Sequence, residues 1–354
     1  MKIKIKAFDT LFFRDGKPFT MEDESWAEGI FPPPPSVIYG ALRAAYFANH
    51  PEELGKANEN DDPTKNLKIK DFAFYIQEKG YVYYPVPADF AAKKMENKEK
   101  WQIFRMQIRD NVLTSKPMLP LCADPKEDKL ESVSGFYLTG DLLDEYMQGF
   151  NIDETQVLRL NEQISVEPKI GIGRNYQTKT SNDGRLYRLG MRRLKDLSIL
   201  VDFEGLELPE KGIVRLGGEG KTAYYSKSDF DSSSRKIDDA SKRFIVYFRT
   251  PAIFEKNGYY PDSFDGNFSC EINGRKYRIV SMAMDKPLSI GGWDMKANRP
   301  KPMKKFVPAG TVYIVECDSE TAFQDFKNDF ETKEFCKEEY SRQGYGLYFA
   351  GVYK

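Results

Sequence analysis

The chain has 354 residues, of which 40% are hydrophobic, 14% aromatic and 30% charged, and its formal net charge is −1. This composition predicts a globular protein of two domains and argues against disorder, and no apolar run reaches the roughly 20 residues of a membrane-spanning helix. The four cysteines are widely separated and there is one histidine. We therefore expect a cytoplasmic protein with reduced thiols and no metal centre.

Positive charge is unevenly distributed along the chain. Eight lysines or arginines and a single acid lie between Lys169 and Lys195, and six cations accompany one acid between Lys286 and Lys305. Segregated charge of this kind can give a protein of nearly neutral net charge one basic face for nucleic acid. For either run, an ordinary solvated surface is the alternative.

The first residues predict a strand followed by a long loop. Residues 2–8 alternate, with Ile3 and Ile5 on one face and lysines on the other, and these lysines are interpreted as protecting an exposed sheet edge. The alternation leaves no apolar core for a signal peptide. Arg14 and Lys17 lie in a turn within the loop, which ends in four prolines at 32–35.

A helix is predicted over residues 37–49, with Ser36 as its N-cap. Apolar residues cluster on one face of this helix, namely Val37, Ile38, Ala41, Leu42, Ala45 and Tyr46. Gly40, Arg43 and Phe47 fall on the opposite side. A glycine inside a helix costs about 1 kcal/mol relative to alanine. Either a neighbouring loop or a ligand backbone is therefore expected to approach Gly40.

The single histidine, His50, follows the predicted helix, where the helix dipole favours a cation. This position favours a structural role over catalysis. The sequence offers no recognisable Ser-His-Asp set, nucleophile elbow or carboxylate metal motif. An acid–base site built from Tyr and Lys stays open, but no motif supports an enzyme.

The middle of the chain predicts several short elements. They are strands at 71–76 and 80–85, an irregular insertion at 91–131 and a short helix at 141–146. Residues 167–190 predict a basic β-hairpin whose turn is Asn182-Asp183-Gly184. This hairpin interleaves cations, among them Arg174 and Lys179, with tyrosines at 176 and 187. Such interleaving suits a nucleic acid, because cations meet phosphates and rings stack on bases.

Residues 215–222, Arg-Leu-Gly-Gly-Glu-Gly-Lys-Thr, nearly match a phosphate-binding loop. Arg215 occupies the position of the first glycine, and a strand or loop, not a helix, is predicted after Thr222, so a nucleotide triphosphatase is disfavoured. Two interpretations remain open. The segment is either a tight turn between two strands or a cradle in which backbone amides approach a phosphate.

A polar linker ends near residue 240, where a new strand begins, and we place a domain boundary there. Further strands are predicted around 277–280 and 311–315, then a helix with phenylalanines at 323, 326 and 330, and a terminal strand after a glycine turn. Trp293, after two glycines, is either a core anchor or an RNA contact. The lysines at 301, 304 and 305 face either RNA or an acidic partner.

Three features together carry a resemblance that spans the chain in order. They are Leu11-Phe12-Phe13-Arg14-Asp15-Gly16-Lys17-Pro18-Phe19 with Pro32 to Pro35 leading into Ser36-Val37-Ile38-Tyr39-Gly40-Ala41-Leu42-Arg43; Leu216-Gly217-Gly218-Glu219-Gly220-Lys221; and Gly292-Trp293-Asp294 through Pro308-Ala309-Gly310. The sequence resembles the RAMP superfamily, and within it subunit three of the Cmr effector, the type III-B CRISPR interference complex of antiviral defence. One departure is Lys221, where arginine is expected, so the charge is kept without the bidentate geometry.

The resemblance implies an α+β chain of two ferredoxin-like (RRM-like) domains with glycine-rich loops, which we place at residues 1–240 and 241–354. It also implies a non-catalytic subunit without cofactors that holds the 5′ handle of the CRISPR RNA. The implied protein partners are the large polymerase-like subunit and the adjacent RAMP backbone subunit. A metal-independent RAMP endoribonuclease that processes repeat RNA is the alternative.

The residues and the resemblance together lead us to a set of expected RNA contacts. They are Arg14, Lys17, Ser36, Gly40, Arg43, Arg174, Lys179, Arg215, Gly217, Gly218, Gly220, Lys221, Trp293, Lys301, Lys304 and Lys305. Small residues let the backbone approach phosphates, and cations neutralise them.

Overall fold

A computed structural model describes residues 1–14, 26–27, 29–95, 100–115, 117–123, 129–150, 152–154, 157–230, 237, 239–294, 299–331 and 335–354. These residues form a mixed α/β structure that is rich in strands and has few helices. The helices are α1 (Pro35–Asn49), α2 (Gly140–Met147), α3 (Phe323–Glu331) and α4 (Glu338–Arg342), with 3-10 turns at Pro51–Lys56 and Leu160–Gln163.

The first two thirds of the chain hold seventeen of the described strands. They are β1 (Lys2–Ala7), β2 (Trp26–Ala27), β3 (Lys68–Ile76), β4 (Tyr81–Pro85), β5 (Phe90–Lys94), β6 (Trp101–Arg105), β7 (Gln107–Ile108), β8 (Leu121–Cys122), β9 (Glu131–Ser132), β10 (Phe136–Thr139), β11 (Asp153–Glu154), β12 (Leu158–Arg159), β13 (Ile164–Arg174), β14 (Ser181–Leu194), β15 (Leu197–Glu204), β16 (Lys211–Arg215) and β17 (Thr222–Lys227). The remainder holds β18 (Ala240–Phe248), β19 (Ser269–Ile272), β20 (Arg275–Ala283), β21 (Leu288–Asp294), β22 (Arg299–Phe306), β23 (Val312–Ala322) and β24 (Tyr348–Val352).

A large antiparallel sheet has the strand order β12-β10-β4-β3-β15-β1-β17-β16. The apolar face of α1 packs against it, and Ile38 and Leu42 share its core with Ile5. The predicted sheet edge at the N-terminus is wrong, because β1 is hydrogen-bonded to β15 on one side and β17 on the other. Two of its lysines instead lie over aromatic rings, Lys2 over Phe230 and Lys4 over Tyr75.

A second antiparallel sheet has the order β19-β20-β23-β18-β24 and carries α3. The predicted spacing of phenylalanines is confirmed, since Phe323, Phe326 and Phe330 of α3 are all buried. The ring of Phe326 stacks on Phe244 of β18 with centroids 4.1 Å apart. These residues form the centre of the C-terminal core.

Residues 91–131, predicted to be irregular, instead contribute strands to a small sheet of order β11-β6-β5-β9. Its inner residues, such as Ala92 and Ile103, are buried in the same core as α2 and the C-terminal sheet. Beneath it, Asp89 accepts hydrogen bonds from Arg105 at 3.1 Å and Tyr146 at 2.8 Å. Alternation in short strands broken by charged residues was too weak a signal to predict this sheet.

The predicted domain boundary near residue 240 separates the two large sheets in the sequence, but side chains of the two sheets contact each other. Arg249, just after β18, forms a buried ion pair with Asp71 of β3. The Tyr247 hydroxyl donates to the Pro85 carbonyl at 2.6 Å. One apolar cluster contains Ala73 from the first sheet and Phe248 from the second.

The basic hairpin is confirmed as β13 paired with β14, but its predicted turn is wrong. Asn182, Asp183 and Gly184 lie within β14, and the turn is formed by residues 175–180. The Asn175 side-chain oxygen accepts hydrogen bonds from the Gln177 and Thr178 amides at 2.9 and 3.2 Å, which closes the turn. Among the described helices, none is long and apolar enough to cross a membrane.

Candidate nucleic-acid interface

The glycine-rich segment is a tight turn that joins β16 to β17. The Leu216 amide donates to the Lys221 carbonyl at 2.9 Å, and the Gly218 amide donates to the Phe12 carbonyl at 2.8 Å. Gly217 has φ +80°, and a Cβ at this position would clash with the Phe12 carbonyl oxygen. The segment is therefore a tight turn between two strands, and β17 follows where a nucleotide-binding P-loop would need a helix.

Acids and cations alternate around this turn. Lys221 Nζ lies 2.7 Å from Asp9 Oδ2, and Arg193 lies 3.0 Å from the other oxygen of the same carboxylate. The hydrogen bond from Lys221 lowers the pKa of Asp9 from 3.8 to about 2. Lys169 and Glu219 pair at 2.7 Å. Exposed ion pairs are weak, so these cations can exchange their carboxylates for phosphates.

Helix α1 carries the next group of expected contacts, and two of the predictions made for this helix are wrong. The helix begins at Pro35 and its N-cap residue is Pro34, so Ser36 is not the cap. Its hydroxyl instead lies 2.9 Å from that of Tyr345. Phe47, predicted to face outward, is 8% exposed. Gly40 is exposed, and apart from the neighbouring backbone of its own helix no described atom lies within 4 Å of a Cβ built there. Within the described part of the chain, no neighbouring loop explains this glycine.

Arg43 is held by its own chain. Its guanidinium donates to Thr64 at 2.7 Å, Asn58 at 3.0 Å and Asp62 at 2.6 Å. Asp62 is only 5% exposed, so this pairing offsets the cost of a buried carboxylate. The geometry therefore indicates that Arg43 supports the loop after α1.

The structure describes the side chains of only some of the expected contacts on the β13–β14 and β21–β22 hairpins. Lys179 is exposed and has φ +56° in the turn of β13 and β14, beside Tyr176, which is 97% exposed. Arg174 is the last residue of β13 and Trp293 lies within β21, but the side chains of both lie outside the described part of the structure. Lys17 lies entirely outside the described residues. Arg215, at the end of β16, is exposed.

The three lysines of β22 lie in a hairpin with β21 and differ in their contacts. Lys304 pairs with Glu255 at 3.5 Å and lies over the Tyr340 ring, while Lys305 donates to Ser289 at 2.7 Å. Lys301 is exposed opposite Gly292. The choice between RNA and an acidic partner stays open for Lys301, but Lys304 already has an acidic neighbour.

A cleft of about 1180 Å³ lies between the first sheet and the C-terminal part of the chain. Its walls are the proline run, the faces of β3, β4 and β10, and the base of the β21–β22 hairpin. It brings together two expected contacts, Arg14 and Lys305, with two that sequence reasoning missed, Arg192 and Arg249. No Asp or Glu is among the described residues that line it. The cleft is therefore positive and otherwise largely apolar.

The two missed arginines had weak sequence signals. Arg192 lies within the basic run already noted, but nothing in the sequence distinguishes it from Arg193 beside it. Arg249 directly follows an apolar strand, and an arginine there gives no hint of the pairing with Asp71, 178 positions away. The packing of the two large sheets places Arg249 at the cleft, whereas Arg192 lies in β14, where its backbone pairs with that of Leu11.

Phe12 and Phe13 connect the glycine turn to the cleft. The Phe13 ring lies against the Gly217 position and is 6.1 Å from the ring of Phe31, a residue of the cleft wall. Arg14, the next residue in the chain, lines the cleft. The buried Phe12 and Phe13 thus connect the turn to the cleft, and we call the turn, the ion pairs around Asp9 and the cleft together the basic track.

The single histidine and the four cysteines make contacts within the fold. The His50 ring lies 4.4 Å from that of Tyr46 at the end of α1, and its Nδ1 is 3.7 Å from Glu52, so its predicted place at the helix end is confirmed. All four cysteines are described, and none forms a disulfide. The described residues contain no cluster of three His, Cys, Asp or Glu side chains suited to a metal.

One comparison with known proteins identifies a family, and another identifies solved structures with a similar fold. A family model described as CRISPR-associated protein (Cas_Cmr3) matches residues 3–353. A cryo-EM structure of type III-B Cmr-beta bound to cognate target RNA and AMPPnP contains a chain with TM-score 0.56 and 15% identity, covering 98% of this chain and 95% of its own. A second Cmr-beta structure with cognate target RNA gives TM-score 0.52 and 16% identity over the same shares. No curated protein matches by sequence.

Proposed function

The chain belongs to the Cas_Cmr3 family of CRISPR-associated proteins, and from this premise we propose that it is a non-catalytic RNA-binding subunit of a type III-B interference complex. In this proposal it holds the 5′ handle of the CRISPR RNA. It docks on the large polymerase-like subunit and on the adjacent RAMP backbone subunit. The similar chains lie in Cmr-beta complexes bound to target RNA, which supports membership of such an assembly.

The observation that carries the RNA-binding role is the basic track. Single-stranded RNA is recognised through phosphates, 2′-hydroxyls and unstacked bases, which require cations, polar donors and flat apolar surfaces side by side. The track offers Lys221 beside the glycine turn, and Arg14 and Lys305 beside aromatic and proline walls. We propose Lys17, Lys179, Arg174, Arg215 and Lys301 as peripheral contacts.

The chemistry of the cleft supports a role without catalysis. The charged residues described in its lining are arginines and a lysine, and arginine does not act as a base near neutral pH. Burial raises the pKa of Tyr83 and that of Tyr137, so neither phenol is ionised near neutral pH. An acid–base catalyst works best with a pKa close to the pH at which it acts. The cleft is thus better suited to binding than to cleavage.

We also infer a ferredoxin-like origin for both large sheets. In the first, β3-β15-β1-β17 follow the order second, third, first, fourth by position in the chain, and α1 connects the first strand to the second. In the second, β20-β23-β18-β24 repeat that order, and α3 connects the third strand to the fourth. Each sheet thus keeps one of the two helices of a β-α-β-β-α-β unit.

RNA binding by the purified complex tests this function. A labelled RNA carrying the repeat-derived 5′ handle is titrated against complexes with the wild-type chain or a Gly218→Arg, Lys221→Ala double variant, at several salt concentrations. We expect weaker binding by the variant, because the large side chain at position 218 blocks the approach of a phosphate to the turn and the cation at position 221 is lost. Unchanged binding would remove the glycine turn from the interface.

A cleavage assay separates the proposed function from endonuclease activity. Repeat RNA is incubated with the chain in EDTA and analysed for cleavage. Intact RNA is expected, whereas a specific cut that a Tyr or Lys substitution abolishes would establish the metal-independent nuclease instead.

A further inference from the structure

We propose that β16, at the edge of the first large sheet, accepts an extended acidic segment of a partner subunit as an added strand. This inference rests on the proposed function and deepens it by naming a docking surface and the kind of segment that binds there. Three observations on β16 and its neighbours β17 and β1 support it. They are unused backbone groups along the edge, exposed apolar side chains beside it, and cations without carboxylate partners around it.

Strand β16 ends the first sheet and directs half of its backbone groups outward. The sheet order places β17 on one side of β16 and no described strand on the other. The Leu216 amide donates to the Lys221 carbonyl at 2.9 Å, and backbone direction alternates along an antiparallel strand. The amides and carbonyls of Lys211, Ile213 and Arg215 therefore point away from β17. No described group forms a hydrogen bond with them.

The edge lacks most of the features by which proteins protect the edge of a sheet. Strand β16 contains no proline, and its pairing with β17 runs over five residues without a bulge. Lys211 and Arg215 at its two ends are charged, but Ile213 at its centre is 61% exposed. An unbulged edge strand with an exposed apolar centre is the kind of strand to which an extended peptide adds.

Exposed apolar side chains continue from the edge across the outer face of the sheet, the face opposite α1. Ile213 pairs in register with Tyr224 of β17, which is also exposed. The ring of Tyr224 lies 6.4 Å from that of Phe8, which follows β1 and is exposed as well. The adjacent residues Val214 and Ala223 are buried in the core that contains α1. The three exposed side chains thus form one apolar patch that begins at the edge.

The outer face around this patch is positive. Its outward positions on β16, β17 and β1 are Lys211, Ile213, Arg215, Thr222, Tyr224, Ser226, Lys2, Lys4 and Lys6. None of these positions holds an acid. Lys211 and Arg215 border the edge itself and Lys6 lies two strands further in, and none of the three forms an ion pair with a described residue. The charge of this face therefore favours an acidic partner.

The edge and its charge together indicate what binds there. In an added strand, the side chains on the outer face lie beside Lys211, Ile213 and Arg215. Acidic residues beside the two cations, with an apolar residue between them beside Ile213, would complement all three. RNA offers phosphates to the cations, but it has no row of alternating amides and carbonyls to match that of β16. An extended protein segment therefore fits this surface better than RNA does.

Residue-resolved hydrogen–deuterium exchange tests the added strand directly. The three samples are the isolated chain, the isolated chain with handle RNA, and the purified complex. We expect the amides of Lys211 and Ile213 to exchange at least about tenfold more slowly in the complex, because they become hydrogen-bonded. Handle RNA alone should leave their exchange unchanged. The amide of Val214, which points to β17, is the internal control and should exchange slowly in all three samples.

Single substitutions measure the contribution of the side chains. Ile213→Asp and Lys211→Glu each place a carboxylate beside the acidic segment, so each should weaken assembly with the partner subunits by at least about tenfold. Both positions are exposed, so the fold should be retained. Leu54→Asp is the matched control, because Leu54 is 60% exposed but lies in a 3-10 turn outside the sheet. Native mass spectrometry of the purified complexes measures assembly, and Leu54→Asp should leave it unchanged.

The outcomes distinguish the added strand from the proposed function. If the complex assembles while the amides of Lys211 and Ile213 exchange as fast as in the isolated chain, the added strand is wrong and membership of the complex stands. Protection of these amides by handle RNA alone would show that the edge binds RNA. Protection that rises with the concentration of the isolated chain would show that a second copy binds there. Either result overturns the inference, whereas failure of the wild-type chain to assemble with the other subunits would overturn the proposed function itself.

Discussion

Two glycines that look alike in the sequence have opposite roles in the structure. Gly217 adopts φ +80° with Phe12 directly against it, whereas Gly40 lies in a helix with open space around it. The first glycine is required by the protein's own backbone. The second is left without an internal reason among the described residues, which is why we keep it as a proposed point of RNA approach.

Alanine substitution at both glycines tests this contrast. Gly217→Ala should lower the free energy of unfolding by at least about 2 kcal/mol, because it combines a strained φ with a clash. Gly40→Ala should raise it by about 0.5–1 kcal/mol, because alanine is the better helix former and meets no neighbour. Urea denaturation followed by circular dichroism measures both. Destabilisation by Gly40→Ala would show that this glycine has a structural role after all.

Asp9 places a carboxylate between two cations of the basic track, Lys221 and Arg193. Its folded pKa of about 2 lies below the ordinary 3.8, so its ion pairs stabilise the fold above about pH 4 and this contribution is lost as pH falls towards 2. Asp9→Asn should therefore make the acid-induced loss of stability shallower between pH 4 and 2. It should also tighten handle binding at neutral pH, because Lys221 and Arg193 lose a competing partner.

Asp61→Asn is the matched control, since Asp61 is also an exposed acid but forms no ion pair with another described residue. Acid denaturation and fluorescence anisotropy with handle RNA measure the two effects of Asp9→Asn. Equal changes in both variants would mean that only net charge matters.

At the scale of elements, helix α3 is fixed by its phenylalanines. Phe326 is fully buried, stacks on Phe244 at 4.1 Å and lies 4.6 Å from the ring of Phe330. Phe326→Ala should lower the free energy of unfolding by about 3–5 kcal/mol, because it removes a large ring from a packed core. Gln324→Ala, on the exposed face of the same helix, should change it by no more than about 0.5 kcal/mol. Urea denaturation monitored at two wavelengths checks the difference.

The elements that the sequence predicted well are those with a long, regular pattern. The spacing of apolar residues in α1 and of phenylalanines in α3 reflects a buried helical face, and both helices were located from it. The hairpin of β13 and β14 was also expected, but Asn182-Asp183-Gly184 was preferred as its turn. The structure instead uses Asn175, whose side chain accepts two backbone hydrogen bonds, a contact that residue identity alone does not rank.

The prediction of the site was incomplete because local sequence does not show which residues far apart in the chain contact each other. Arg14 and Lys305 were identified as cations, but not as neighbours across one cleft. Arg43 was expected to face RNA because it is on the outer side of α1, yet the loop that follows the helix folds back onto it. Local sequence indicates charge and helical face, whereas the partner of each charge depends on the tertiary fold.

At the scale of the molecule, the ion pair between Arg249 and Asp71 links the two large sheets. Asp71 also accepts hydrogen bonds from the Tyr84 hydroxyl at 3.0 Å and the Phe72 amide at 2.8 Å. Arg249→Met should lower the free energy of unfolding by about 3–5 kcal/mol, because it leaves a buried carboxylate without its cation. Adding Asp71→Asn should recover part of that loss, since the coupling of adjacent partners is not additive.

Differential scanning calorimetry of the two single variants and the double variant measures this coupling. Additive losses would show that the sheets are held together mainly by the shared apolar core, and that the ion pair contributes little.

The basic track is the part of the chain through which, in the proposed function, this subunit holds the RNA handle without cutting it. Nuclease footprinting of CRISPR RNA in the purified complex tests it most directly, with the wild-type chain compared with the Arg14→Ala, Lys305→Ala and Lys221→Ala triple variant. We predict a protected, intact handle with the wild-type chain and an exposed handle with the variant, while the rest of the guide stays protected. Equal protection of the handle in both complexes would show that the basic track does not hold it, and a handle cut in the wild-type complex would show that the proposed non-catalytic role is wrong.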